Sequence, residues 1–267
     1  LARARLAYDR ADFDRAVELA REILHLRRHD AIASFRARRV LIPIYLLRAD
    51  FDAAERAIDA CSRFLRGPAL PVARVWLVRQ IVRWNLALGR PDVALGRIDV
   101  LDARLDRSPL GSSPDVRAML ELSRAQSLIA GLYRDRMIGR NSSSRSGGDV
   151  KFAFGRLRDT LDSLSPPQRA ECHRTFARWE LLRGRPSRAM EELDDAVSAL
   201  HDFPGPLART LCAEAMGAVQ KSKSSEESPT LLEQSQILRE HWGCPSPLAL
   251  EGWPVPDELS ALQPDDE

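Results

Sequence analysis

The chain lacks any apolar run that could cross a membrane, and its cysteines are few and scattered. No uninterrupted apolar stretch among its 267 residues approaches the ~18 residues that span a bilayer. The four cysteines (Cys61, Cys172, Cys212 and Cys244) are far apart and do not resemble the framework of a small secreted protein. We therefore expect no transmembrane segment and an intracellular, cytoplasmic location. The start at Leu1, without a signal peptide, predicts a trimmed piece of a longer protein.

Lysine is almost missing from an otherwise highly charged chain. Only three of the 40 basic residues are lysines (Lys151, Lys221 and Lys223), and the others are arginines. The formal net charge of +2 argues against a general nucleic-acid binder. The arginine excess has two interpretations that stay open. It reflects a coding bias, since solvated arginine suits helices well, or it serves bidentate recognition of carboxylates or phosphates.

Sequence motifs of enzymes are missing as well. The chain has no GxSxG, P-loop, GxGxxG or HExxH motif, which would mark a nucleophile, a phosphate cradle, a dinucleotide site or a catalytic zinc. His241 and Cys244 are spaced like metal ligands, but one pair does not fill the four positions of a zinc site. His25 and His29 lie one helical turn apart, where they more simply complement helix-end carbonyls. We predict no catalytic residue, no metal and no cofactor.

The chain does contain one short pattern that recurs four times. In each copy a small residue follows an amphipathic stretch, and an alanine comes five residues after it. The four pairs are Ala11 with Ala16, Ala49 with Ala54, Gly89 with Ala94, and Gly184 with Ala189. The first three copies start 38 and 40 residues apart, within the range of roughly 34 to 47 residues that is typical of helical repeat arrays.

The residues around the small one indicate a helix–turn–helix unit. A small residue lets the chain reverse tightly after a helix. The next helix can then be capped by Asp12, Asp50 or Ser187. Pro91 and Pro186 suit the first turn of a helix. The pattern therefore predicts helical hairpins that stack on one another.

This pattern resembles the tetratricopeptide repeat, whose turn reads Gly-Asp-Tyr-x-x-Ala and whose second helix carries another small residue seven positions later. Ala54 with Cys61 and Ala189 with Ala196 match that spacing. The resemblance covers most of residues 1–243. It implies an all-α fold, a right-handed α-α superhelix of about six helical hairpins. It says little about function, because such repeats serve many partners.

Helical periodicity divides the chain into a repeat array over residues 1–243 and a tail over residues 244–267. A turn is expected at Gly131, then an insertion loop at about residues 134–150, and a second flexible stretch at residues 221–228. The tail carries five prolines and an acidic end and is typical of an extended segment. Paired helices are predicted at residues 1–9 and 13–28, 31–48 and 51–66, 72–88 and 91–106, 115–130 and 150–164, 168–183 and 187–201, and 206–220 and 229–242.

In this repeat family the first helix of each hairpin lines an inner groove. The resemblance places there Arg36, Arg39, Pro43, Leu46 and Leu47 of the second hairpin, Trp76, Arg79, Arg83 and Leu86 of the third, and Glu171, Arg174, Arg178 and Leu181 of the fifth. The fourth hairpin offers Ala118, Glu121 and Ala125 and interrupts the arginine stripe. The family's carboxylate clamps use a Lys-Asn pattern that is missing here. The implied partner-binding residues are Arg36, Arg39, Trp76, Arg79, Arg83, Arg174, Arg178 and Leu181.

These observations predict a non-enzymatic protein–protein interaction scaffold, or an adaptor subunit of a larger intracellular assembly. The concave groove would bind a peptide or a partner helix with acidic residues beside apolar anchors. The alternative is a sensory or autoinhibitory module of a multidomain signalling or transcription regulator. The tail itself places Trp253 near Asp257 and Glu258, so the chain could also bind its own tail or that of a neighbouring copy.

Overall fold

A computed structural model describes residues 1–65, 71–107, 113–137, 147–203 and 205–223 of the chain. These residues form eleven α-helices and a short 3-10 turn at Leu161–Ser163, and none of them forms a β-strand. The prediction of an all-α fold is confirmed for this part of the chain. The helices are α1 (Ala2–Asp9), α2 (Phe13–Leu26), α3 (Ala31–Leu47), α4 (Phe51–Phe64), α5 (Pro71–Ala87), α6 (Pro91–Leu105), α7 (Pro114–Met137), α8 (Gly147–Arg158), α9 (Pro166–Leu182), α10 (Pro186–Ala199) and α11 (Pro206–Lys223).

Four helices end in the same way, at the positions where the sequence pattern repeats. A positive φ, between 54° and 68°, is found at Ala11, Ala49, Gly89 and Gly184. In the first of these turns the Ala11 N–H donates to the Tyr8 carbonyl and the Asp12 N–H to the Ala7 carbonyl, both at 2.9 Å. The other three turns repeat both bonds. This pair of bonds satisfies carbonyls that a helix end leaves open, so the predicted turns are confirmed.

Ala49 holds a conformation that suits glycine better than alanine. We therefore expect Ala49→Gly to raise the free energy of unfolding by about 0.5–1 kcal/mol, and Gly89→Ala to lower it by roughly 1 kcal/mol. A methyl group added at Gly89 would meet no atom within 4 Å, so that loss comes from the backbone and not from a clash. Urea denaturation followed by circular dichroism measures both changes.

The matched control is Ala103→Gly, at an exposed position within α6. Glycine inside a helix loses more conformational entropy on folding than alanine, which costs roughly 1 kcal/mol. Ala49→Gly and Ala103→Gly should therefore change stability in opposite directions. A loss of stability in both variants would contradict the positive φ of Ala49.

Polar side chains cap the helices that follow two of the turns. Asp12 and Asp50 each accept a hydrogen bond from the backbone N–H three residues on, at 3.2 and 3.1 Å, which confirms both predicted caps. The prediction is wrong for Ser187, because Pro186 opens α10 and leaves Ser187 inside the helix. Pro91 opens α6 in the same way, since the fixed φ of proline suits the first helical position.

The helices pack as successive hairpins. Within each hairpin α1 packs on α2, α3 on α4, α5 on α6, α7 on α8 and α9 on α10. The first helix of each hairpin also contacts the first helix of the next, from α1 through α3, α5, α7 and α9 to α11. The alanines of the repeated pattern are completely buried, at 0% exposure for Ala16, Ala54, Ala94 and Ala189. Neighbouring helices therefore come close at these positions.

The fourth hairpin departs from the prediction. The helix α7 continues through Gly131, where the sequence predicts a turn, and ends at Met137. Its last turns are held by contacts on both sides. Arg134 binds Asp92 of α6 at 2.7 Å, and Arg136 donates a hydrogen bond at 3.0 Å to the carbonyl of Leu182 in α9. These tertiary contacts explain why the helix does not stop at the glycine.

Several predicted segments are shorter than expected or lie outside the described residues. Because α8 begins at Gly147, both edges of the expected loop at residues 134–150 are helical. The first residues of the stretch 221–228 likewise belong to α11, which ends at Lys223. The segments that lie outside the described residues are the rest of these two stretches, the second helix of the sixth hairpin and the tail at residues 244–267.

The array curls so that α11 meets the first hairpins. Leu207 of α11 packs against the apolar core of the first two hairpins. Leu207, Tyr8 of α1 and Leu46 of α3 line the same cavity. Part of α11 therefore lies close to α1 and α3. None of the described helices has the length and apolar character needed to cross a bilayer.

Candidate functional site

Glu171 of α9 lies at the centre of the inner face. Its carboxylate accepts hydrogen bonds from Arg79 and Arg83 of α5, the second at 2.9 Å. It also accepts one from Gln126 Nε2 of α7 at 3.1 Å. Only 5% of Glu171 is exposed. Three first helices of successive hairpins therefore meet at one buried carboxylate.

The arginines keep this buried carboxylate ionised. Burial by itself raises the pKa of Glu171, but the positive charges of Arg79, Arg83 and Arg174 outweigh burial and hold the pKa well below its ordinary value. The hydrogen bond from Arg79 acts in the same direction. Glu171 is therefore the internal counter-ion of this part of the arginine stripe.

Arg174 and Arg178 of α9 are also inside the protein. They are 2% and 3% exposed. The Arg174 guanidinium contacts Cys212 Sγ of α11 at 3.5 Å, and Arg178 Nη1 donates to the carbonyl of Gln126 at 3.4 Å. The expectation that these two side chains reach a peptide in an open groove is therefore wrong. They pack between α7, α9 and α11 instead.

A different part of the predicted surface is accessible, and we call it the basic end: Arg36 and Arg39 of α3 with Trp76 of α5. The Arg39 guanidinium lies over the Trp76 ring, 5.2 Å from its centre. The Trp76 ring also meets Phe35 edge-on, at 6.1 Å between centres, which fixes its position. Arg36 and Arg39 are exposed, and Trp76 is half-buried.

The basic end gathers like charges. Arg39 is exposed as a residue, but partial burial of its guanidinium against Trp76 lowers its pKa, and the neighbouring positive charges of Arg5 and Arg36 lower it further. Within the described ranges neither Arg36 nor Arg39 forms an ion pair with a carboxylate. The basic end therefore presents positive charge beside an aromatic ring, which suits an anionic group with an apolar neighbour.

Leu181 belongs to neither group. It packs against Ala177, Ala189 and Leu193 in the apolar core between α9, α10 and α11. The eight predicted binding residues therefore divide into the accessible basic end, a group of four buried or half-buried arginines around Glu171, and one leucine that packs against an apolar core.

A cavity of about 140 Å³ is lined by residues of α1, α3, α5, α9 and α11. Its apolar wall includes Pro43 and the leucines of α3 and α11. Its polar wall is formed by Gln80, Arg83, Glu171 and Arg174. Several positions that the resemblance assigns to the groove therefore line the same cavity.

One other group combines residues that can bind metals. Ligand atoms of His173, Glu192 and Asp195 lie within 4.8 Å of one another. His173 Nδ1 is 2.9 Å from Glu192, and Arg158 Nη2 is 2.5 Å from the same carboxylate. Burial raises the pKa of Glu192, but the hydrogen bonds from His173 and Arg158 outweigh burial and lower it. The geometry is that of an ion-pair cluster that links α8, α9 and α10.

The three cysteines in the described ranges lie inside the protein. Cys61, Cys172 and Cys212 are buried and form no disulfide. Burial raises the pKa of the Cys61 thiol to about 12, which keeps it protonated at neutral pH and therefore a poor nucleophile. Cys244 lies outside the described residues.

The sequence places Glu171 on the groove but not among the partner-binding residues, and it gives no role to Gln126. Glu171 occupies the same groove position as Arg36 and Trp76, and a carboxylate in an arginine stripe is a natural counter-ion. That was the available signal. Gln126, next to Ala125, is the α7 residue that reaches Glu171, whereas Ala118 and Ala125 pack in the apolar core with α8. Glu121 instead pairs with Arg156 of α8 at 2.8 Å.

No known protein family, curated protein or solved structure matches this chain significantly. The likeness to tetratricopeptide repeats therefore rests on the repeated turn and on the order in which the hairpins pack.

Proposed function

We propose that the chain is a non-enzymatic binding module, a right-handed superhelix of about six tetratricopeptide-like hairpins that acts as a scaffold or adaptor in a larger assembly. The four matching turns support repeated hairpins, and the contacts between successive first helices support their stacking. Stacked hairpins offer an extended surface to a partner. Such a surface binds a partner of complementary charge and shape. The choice of partner therefore depends on the charge and shape of the accessible part of the surface.

The basic end is the surface that we assign to the partner. Arg39 over Trp76 is the observation that carries this assignment, because an arginine held on an aromatic ring offers charge and apolar area together. A protein segment with carboxylates beside an aromatic or aliphatic anchor fits it. Arg174 and Arg178 are buried, and Arg79 and Arg83 are half-buried and paired with Glu171. We therefore assign all four to stability and not to the partner.

The tail has the composition of such a ligand. Residues 251–267 contain Trp253 and five carboxylate side chains in addition to Glu251, namely Asp257, Glu258, Asp265, Asp266 and Glu267. These residues lie outside the described part of the chain. We propose that the tail competes with the partner for the basic end, either in its own chain or in a neighbouring copy.

A sensory module is the second candidate, and the cavity favours it. A ligand in the cavity would contact both α3 and α11. It could shift the equilibrium between arrays in which these two helices are close together and arrays in which they are apart. A scaffold needs no such internal site. Binding of a small molecule that changes the stability of the array would therefore favour the sensory function.

We expect Arg36→Glu with Arg39→Glu to weaken binding of an acidic ligand by roughly tenfold, since two attractive charges become repulsive. The probe is a fluorescently labelled synthetic peptide of residues 251–267, titrated with the full chain and followed by fluorescence anisotropy. Raising the salt concentration should weaken binding of the wild type more than binding of the variant, because salt screens exposed charges.

The control makes the same charge change at Arg104 and Arg107, which are exposed on and after α6. This variant should bind the peptide as the wild type does. Circular dichroism checks that both double variants keep their helix content. Equal affinity of all three proteins for the peptide would place the binding surface elsewhere.

A further inference from the structure

The two helices of the fifth hairpin bring one imidazole and two carboxylates together. His173 lies on α9, and Glu192 and Asp195 lie three residues apart on α10, so both carboxylates point to the same side of that helix. One ligand atom from each of the three side chains lies within 4.8 Å of the other two. Imidazole nitrogen and carboxylate oxygen are ligands that zinc and related divalent ions prefer.

The distances between these atoms suit one metal ion. Zinc bonds to nitrogen and oxygen measure about 2.0–2.1 Å, so the ligand atoms of a tetrahedral site lie about 3.3 Å apart. His173 Nδ1 is 2.9 Å from Glu192 Oε2 and 4.0 Å from Asp195 Oδ2, on either side of that value. The Asp195 side chain is 66% exposed, so it is free to move the few tenths of an ångström that are needed.

Neighbouring side chains orient two of the three ligands. Arg158 Nη2 of α8 donates to Glu192 Oε1 at 2.5 Å, which leaves Glu192 Oε2 facing His173. The Phe176 ring meets the His173 ring edge-on, with centres 5.8 Å apart, and the Arg158 guanidinium lies over Phe176 at 4.6 Å. Contacts that hold the ligands from outside are a regular part of metal sites, because they fix the direction of the lone pairs.

We propose that His173 Nδ1, Glu192 Oε2 and Asp195 Oδ2 bind one divalent metal ion of the zinc class. Three protein ligands leave the fourth position to water, which reaches it past the exposed Asp195. The imidazole binds in its neutral form, so a proton on Nδ1 is released to solvent when the metal binds. The positive charge of Arg158 opposes a cation, so we expect reversible binding at micromolar zinc. The bound ion would link α9 to α10.

This site is independent of the partner surface at the basic end. The sequence alone gives no motif for it, because 19 residues separate His173 from Glu192 and only the packing of α9 on α10 joins them. A metal that binds the folded chain and not the unfolded one stabilises the fold. The level of available zinc would therefore regulate the stability of the fifth hairpin.

Isothermal titration calorimetry of the full chain with zinc chloride, and separately with magnesium chloride, tests the inference. We expect one zinc ion per chain and much weaker binding of magnesium, because magnesium prefers a shell of oxygen ligands and water. Cobalt chloride is the third probe, since tetrahedral cobalt absorbs visible light far more strongly than the hydrated ion does. Its spectrum should appear on binding and disappear when zinc is added.

Two variants locate the site, and one variant is the matched control. Asp195→Asn and His173→Gln should each weaken zinc binding by at least about tenfold, since even the loss of a residue that only orients a ligand has an effect of that size. Asp194→Asn removes the same charge from an exposed neighbour on α10 and should bind zinc as the wild type does. Circular dichroism checks that all three variants keep their helix content.

The other residues with metal-like spacing are removed in a fourth variant, His25→Gln with Cys244→Ser, which should keep the zinc site. The inference is overturned if zinc does not bind at millimolar concentration, or if magnesium binds as tightly as zinc. Equal zinc affinity of the wild type and the exposed variant Asp195→Asn would also overturn it, because the bound zinc would then be an adventitious ion only. Loss of zinc binding in the fourth variant would place the site elsewhere and have the same consequence.

Discussion

Replacing Glu171 by glutamine is expected to lower the free energy of unfolding by about 3–5 kcal/mol. The change keeps the shape of the side chain and removes the negative charge that Arg79 and Arg83 share. Because Glu171 is 5% exposed, water does not replace that charge, and the arginines lose a counter-ion in a medium of low dielectric. Urea denaturation followed by circular dichroism measures the loss.

The control for this variant is Asp9→Asn, which breaks the ion pair between Arg5 and Asp9 on the surface of α1. The two side chains lie 3.0 Å apart and are 58% and 49% exposed. An exposed pair of this kind contributes at most about 1 kcal/mol. Equal losses in Glu171→Gln and Asp9→Asn would contradict the burial and the central position of Glu171.

The pH dependence of stability gives a second readout of the same variant. The arginines hold the pKa of Glu171 below its ordinary value of 4.5, so this carboxylate binds fewer protons in the folded chain than in the unfolded one. Its contribution to stability is present above the unfolded pKa and is lost as the pH falls from there towards the folded pKa. Between pH 5 and pH 3 the wild type should therefore lose more stability than Glu171→Gln does. Parallel curves would contradict the lowered pKa.

Because Glu171 pairs with Arg79 and Arg83, substitutions of these two arginines cannot be used to test partner binding. Arg79→Glu with Arg83→Glu would place two more carboxylates against Glu171, and like charges in a buried site repel strongly. We expect that double variant to unfold, so its failure to bind would say nothing about a partner. Arg36 and Arg39 are exposed, and their substitution separates binding from stability.

The helix boundaries were predictable because their signals are local. A small residue followed by Asp12 or Asp50 determines both the end of one helix and the cap of the next. The same reasoning failed at Gly131, because Arg134 and Arg136 bind residues outside α7 and extend that helix. Tertiary contacts override a local signal when they supply more free energy than the signal does.

The candidate site was predictable only in part. The groove positions carried over from the repeat family do bring Arg79, Arg83 and Arg174 together, since one position per helix repeats along the array. Whether such residues face solvent depends on how strongly the array curls. The pairing of Arg79 with Glu171 spans 92 residues, and a sequence contains no local signal for a contact of that separation.

The alanines of the repeated pattern lie at close contacts between helices. We expect Ala54→Leu and Ala189→Leu each to lower the free energy of unfolding by roughly 1–3 kcal/mol, because added methyl groups strain a closely packed contact. Both alanines are 0% exposed. Ala54 lies in the core of the first two hairpins, and Ala189 packs with Ala177 and Leu193 between α9 and α10.

Ala103→Leu is the matched control, since Ala103 also lies in the second helix of a hairpin but is exposed. Leucine and alanine have similar helix propensities, so the control should change stability by less than about 0.5 kcal/mol. Thermal and urea denaturation of the three variants measures these changes in the free energy of unfolding. If Ala103→Leu is as unstable as the other two, the loss does not come from close packing at Ala54 and Ala189. The alignment of the hairpins on these alanines would then lose its physical basis, and so would the likeness to tetratricopeptide repeats.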